Sequence, residues 1–159
     1  MALDLRFPQR AVDAFVAAAK SGQLSSRHMR DVLKYTDSNV DFIPLADLID
    51  SEDPWVRKCV AGVLGEKGMF DRLADRVKVE DDRSVVYELM KQLMKTRDGL
   101  ERVVCLLDSG SQAVRESAIQ MFRKAKREDC LMKLLFDDSD ELVSRIKRYM
   151  QDEENPSIE

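Results

Sequence analysis

Residues 45–65 read LADLIDSEDPWVRKCVAGVLG, from Leu45 to Gly65. Asp53 before Pro54 marks a helix start. The aspartate oxygen accepts from the free N–H groups of a first turn, and proline loses nothing at the first helical position, where its missing N–H would have had no partner. Leu45, Leu48 and Ile49 upstream, and Val56, Val60, Val63 and Leu64 downstream, recur at the three- and four-residue offsets of one helix face, whereas a strand would alternate. The stretch reads as helix, tight polar turn, helix.

The phrase recurs along the chain. Val56, Val85, Val114 and Val143 are each 29 residues apart, and three residues before them stand Asp53, Asp82, Ser111 and Asp140, all able to cap a helix. Before the later caps lie Leu73, Ala74 and Val77; Val103, Leu106 and Leu107; Leu131, Leu135 and Phe136. After them lie Val85, Leu89 and Leu93; Val114, Ala118, Met121 and Phe122; Val143, Ile146 and Met150. Each unit is thus a helix A, a turn and a helix B. The first 38 residues follow the plan loosely, with one helix expected from Pro8 to Ser21 and another from Ser26 to Tyr35. Met29 lies 27 residues before Val56, so this unit is out of step, as a terminal unit covering the end of a stack would be. The chain divides into one domain over 1–151, comprising a divergent capping repeat 1–38 and repeats at about 39–67, 68–96, 97–125 and 126–151, followed by an acidic tail 152–159.

The Asp-Pro-x-Val-Arg core at Asp53–Arg57 and the Ala/Gly-rich start of the following helix resemble a HEAT repeat, of the short type also found in phycobilisome-lyase-like proteins. Leu107–Ala118 carries a second match, while Val86 and Ser144 stand where the family has its arginine. The resemblance implies an all-α fold, a right-handed α-solenoid of about five helix-turn-helix units, with A helices outside and B helices lining a concave groove. It also implies a binding scaffold more readily than an enzyme.

On each B helix, counting from Val56 and its equivalents at 100° per residue, offsets 1, 2, 5, 9 and 12 point away from the core columns. These hold Val86, Tyr87, Met90, Met94 and Ile119, with Arg57, Arg97, Arg115 and Arg123 nearby. An apolar centre with methionine, tyrosine and a cationic rim suits a protein partner, here an acidic amphipathic segment. Two alternatives stay open: Met90 and Ile119 pack between repeats, and Arg57 and Arg115 tie one repeat to an acid of the next. Trp55, the only tryptophan, either caps the stack or anchors a partner.

The composition narrows the function. The chain has 159 residues, 35% charged and 44% hydrophobic, with six Gly and four Pro, which favours an all-α fold. A net charge of −4 argues against a general grip on nucleic acid, although residues 83–127 carry ten Lys/Arg against five acids and form the basis of a nucleic-acid alternative. A lyase-type accessory subunit is a third possibility, resting only on the repeat's kinship. His28 is the sole histidine and no metal-ligand or phosphate-loop motif occurs, so no catalytic residues, metal or cofactor are expected. Cys59, Cys105 and Cys130 are far apart and read as reduced thiols. With no apolar run near the roughly 18 residues that cross a bilayer, the expectation is a cytoplasmic monomer or weak dimer.

Overall fold

The computed structural model describes residues 6–36, 38–108 and 112–127, together with 141, 144, 145 and 148. The described residues are helical, with no strand among them. In chain order the α-helices are α1 (Arg6–Lys20), α2 (Ser26–Leu33), α3 (Ile43–Ala46), α4 (Pro54–Lys67), α5 (Phe70–Val77), α6 (Arg83–Leu93), α7 (Arg97–Leu107) and α8 (Gln112–Arg127). No described helix is long and apolar enough to cross a membrane.

The expected caps form where they are described. Asp53 accepts from the Trp55 N–H at 2.8 Å, with Pro54 opening α4, and Asp82 accepts from the Ser84 and Val85 N–H groups at 2.8 and 3.1 Å. Ser111, Asp140, Val143 and the tail 152–159 lie outside the described residues, as does most of the stretch 126–151. The first helix of the second unit departs from expectation. Instead of a continuous helix it is the single α-turn α3, followed by a 3-10 turn over Asp47–Asp50. Asp41 accepts from the Ile43 N–H at 2.9 Å at the start of α3, but four residues are too few for α-helical cooperativity to resist tightening. At the other end of α4, Gly68 takes φ +76° and lets the Met69 N–H reach back to the Leu64 carbonyl.

The helices pack in an order that follows the 29-residue period. α4 lies against α2 and α6, and α6 against α4 and α8. Likewise α5 lies against α7 and α1 against α3, while each pair also packs within itself. A single buried cluster runs through all of these layers, including Phe15, Val32, Leu45, Val60, Leu64, Leu73, Leu89, Leu93, Leu100, Val103 and Ala118. Val56, Val60, Val63 and Leu64 of α4, Val85, Leu89 and Leu93 of α6 and Val103, Leu106 and Leu107 of α7, selected by helical periodicity, are buried. Two features fix spacing: a Cβ on Gly65 would collide with the Gln92 side chain, and one on Gly99 would collide with the Leu93 carbonyl. Glycine at these positions brings α6 onto α4 and seats the start of α7 on the end of α6.

Candidate functional site

Three columns of B-helix residues, repeating every 29 positions, contain seven of the eight residues that the sequence nominates for binding. The columns are Arg57, Val86 and Arg115; Ala61, Met90 and Ile119; and Gly65, Met94 and Arg123. Tyr87, the eighth, shares a column with Lys58 and Glu116.

Arg57 is buried, at 5% exposure, and binds within the protein. Its Nε and Nη2 donate to the two Glu80 oxygens at 2.8 Å each, a bidentate fork, and its Nη1 donates to the Ser51 and Glu52 carbonyls at 2.8 and 3.0 Å. Glu80 also accepts from Arg76 Nε at 2.9 Å and from the Asp81 and Asp82 N–H groups at 3.2 and 3.0 Å; Arg76 in turn reaches Asp50 at 3.0 Å. The network clasps the turn before α4 to the turn before α6. Burial alone would raise the Glu80 carboxyl, but the Arg57 guanidinium, the Asp82 N–H and Arg76 outweigh it and hold the group down at about 2. The Arg57 guanidinium is pushed upward, first by its hydrogen bond to Glu80. Of the two readings left open for Arg57, the structure has the tie between repeats.

The outward placement of Met90, Met94 and Ile119 requires correction: they are 0%, 6% and 5% exposed and belong to the core. A face count on one isolated helix underestimates the buried arc, because α6 is flanked by α4 and α8, and α8 by α6 and α7, so that their sides are covered as well. Val86 is half-buried against the core and Tyr87 is exposed at 38%. Arg115 and Arg97 are half-buried, and the Arg123 side chain lies outside the described part of α8. Trp55 stands exposed at the first turn of α4.

Val86 and Tyr87 nevertheless meet at a surface feature. Between α6, the first turns of α8 and the turn after α5 lies an open groove of about 540 Å³. Its apolar wall comes from Val77, Val86, Val114 and Met121, its polar edge from Ser117, Gln120 and Glu116, and Lys78, Asp81 and Arg83 stand at the turn end. The sequence reading named Arg115, Ile119 and Arg123 of α8 but not Ser117, Gln120 and Met121, which join Val86 and Tyr87 in one groove only once two helices lie side by side.

The basic stretch 83–127 is spread over several elements, and four of its bases are paired among the described residues. Lys91 pairs with Glu88 at 3.5 Å, Lys95 with Glu66 at 2.7 Å, Arg97 with Glu101 at 3.4 Å and Arg102 with Asp71 at 3.0 Å. Burial pushes the Cys59 thiol up to about 11, whereas Cys105 is exposed. His28 Nδ1 lies 3.2 Å from the Ser25 N–H and 2.9 Å from its hydroxyl, so it serves as a cap for α2. Among the described residues no group of three or more His, Cys, Asp and Glu is arranged to hold a metal. Comparison with protein-family models, with characterised proteins and with solved structures finds no match.

Proposed function

We propose that the chain is a short right-handed α-solenoid of HEAT-like helix pairs, acting as a non-enzymatic protein-protein interaction scaffold. A partner segment lies in the groove between α6 and α8. The observation that carries this reading is the groove itself: an open apolar trough along a helix–helix seam, with the half-exposed Tyr87 ring on its flank and polar groups along its edge. Open seams of this kind suit the apolar face of a helix or an extended segment, and tyrosine and methionine are favoured at such contacts. The partner is an acidic amphipathic segment whose apolar side meets Val86 and Met121 and whose acids meet Arg83 at the turn end, Lys78 being paired already with Asp75 at 2.8 Å. The packing order of the helices, each on the second one along, supports the solenoid. The nucleic-acid alternative has less in its favour, since Lys91, Lys95, Arg97 and Arg102 already face acids.

The test begins with a partner isolated on the tagged chain from its native cell and identified by mass spectrometry. Val86→Glu and Tyr87→Glu weaken that partner's binding at least about tenfold, equivalent to roughly 1.4 kcal/mol, while Lys58→Glu, at the position equivalent to Tyr87 on α4, binds as the parent does. If both groove variants fold and bind normally, the site is elsewhere.

A further inference from the structure

The first helix pair carries a groove of its own, apart from the α6–α8 seam. α1 packs on α2 and α3, and α2 on α1 and α4. Val12 and Phe15 of α1 and Val32 of α2 are wholly buried in that packing. On another stripe of α1, at offsets of four and three residues, stand Phe7, Ala11 and Ala14; Phe7 is 56% exposed and Ala14 is exposed as well. These three floor an open groove of about 250 Å³ between α1 and α2, with Arg10 and Tyr35 at its edge.

The surroundings of this groove are basic. Residues 6–35 hold six Lys/Arg against two acids, Asp13 and Asp31. Asp31 stands 3.8 Å from Arg27 and 3.3 Å from Lys34, and Asp13 accepts from Gln9 at 3.1 Å. The opposite balance lies later in the chain. Residues 128–159 hold ten acids against four Lys/Arg, and residues 152–159, DEENPSIE, hold four acids and no base, with Pro156 and Ile158 among them. The last described pair, α7 and α8, packs on α5 and α6, so α3–α6 separate the basic pair from the pair that leads into the acidic stretch.

We infer that the α1–α2 groove binds the acidic stretch 152–159 of a second copy of this chain, joining copies head to tail. Pro156 and Ile158 meet the floor of Phe7, Ala11 and Ala14, while Asp152, Glu153, Glu154 and Glu159 meet the basic edge. Opposite charge on the two surfaces favours this register, and two basic pairs brought face to face repel each other. The two surfaces differ, so each added copy leaves one groove and one acidic stretch unused, and the contact extends instead of closing at a dimer. A surface this small makes a weak contact. It shares no residue with the α6–α8 groove, so either proposal can fail alone.

Sedimentation equilibrium of the full chain, with reductant present because Cys105 is exposed, tests the inference. At about 50 mM salt the weight-average mass is expected to climb above 18.2 kDa as the concentration approaches about 1 mM, and at about 0.5 M salt the association weakens at least about tenfold. Two variants separate the surfaces. Ala14→Glu sets a carboxylate on the exposed floor, and Asp152→Asn, Glu153→Gln, Glu154→Gln and Glu159→Gln together neutralise the stretch. Each variant alone stays monomeric. Mixed, they form a 1:1 dimer and nothing larger, because one intact groove and one intact stretch remain between them. A parent that stays monomeric overturns the inference, including one whose stretch occupies its own groove. A neutralised variant that associates as the parent does also overturns it, and points to groove-on-groove contact. So does a mixture that fails to dimerise when both variants are folded by circular dichroism. If Ala14→Glu does not fold, Arg10→Glu at the groove edge takes its place.

Discussion

Removal of the Glu80 carboxylate tests the clasp, and its magnitude is worked from the burial of the pair and from the depressed carboxyl that the pairing produces. The Arg57 side chain is only 7% exposed and the Glu80 side chain not at all, so Glu80→Ala strands a guanidinium inside the protein. Breaking a buried pair from one side costs about 3–5 kcal/mol. Arg57 keeps the Ser51 and Glu52 carbonyls, and Asp81 lies 3.8 Å away, which places the cost at the lower end, about 3 kcal/mol. The same contacts set the linkage: a carboxyl lowered from 4.5 to about 2 corresponds to about 3 kcal/mol of stability. Because the folded-state value is the depressed one, that stability is present above the unfolded value of 4.5 and is lost as pH falls through about 2. Urea unfolding followed by circular dichroism, on the parent, Glu80→Ala and the near-isosteric Glu80→Gln, measures both. The expected result is a deficit of about 3 kcal/mol for Glu80→Ala near neutral pH and about 2 for Glu80→Gln, with the gap closing as the parent is acidified below 4.5. A deficit below about 1 kcal/mol, or parent and variants losing stability in parallel over that acid range, would refute the argument that Glu80 is the centre of the tie.

Other outcomes follow from particular contacts. Gly99→Ala should destabilise by about 3 kcal/mol in the same unfolding assay despite alanine's better helix propensity, because the new Cβ meets backbone that has nowhere to go; a neutral result would mean α7 is not seated on α6. Gly65→Ala should cost less, about 2 kcal/mol, since the Gln92 side chain it strikes can partly turn aside. Asp53→Ala removes the acceptor for the Trp55 N–H and should cost about 1 kcal/mol. In a Cys130→Ser background, a thiol reagent should modify exposed Cys105 within minutes near neutral pH and Cys59 only on unfolding; mass spectrometry of the labelled peptides reads the order.

Helix content, the turn positions and the central core-facing residue of each turn were legible in the chain, because capping and amphipathic periodicity act within a few residues. Asp53, Asp82, Val56, Val85 and the apolar runs around them say where helices start and which side is wet, with no knowledge of neighbours. The short first helix of the second unit was less legible, since Leu45, Leu48 and Ile49 keep helical spacing in a 3-10 turn as well. What lies between helices was decided by tertiary structure. Met90 and Ile119 look outward on an isolated helix and become core only when a second helix covers that flank. Arg57 looks like a cationic rim residue until Glu80, 23 positions later, arrives beside it. The groove at Val86 and Tyr87 acquires its second wall from α8. Burial, pairing and cavity shape depend on the distance between separate segments, and that distance is set by side-chain volumes across each seam, a quantity local periodicity does not contain.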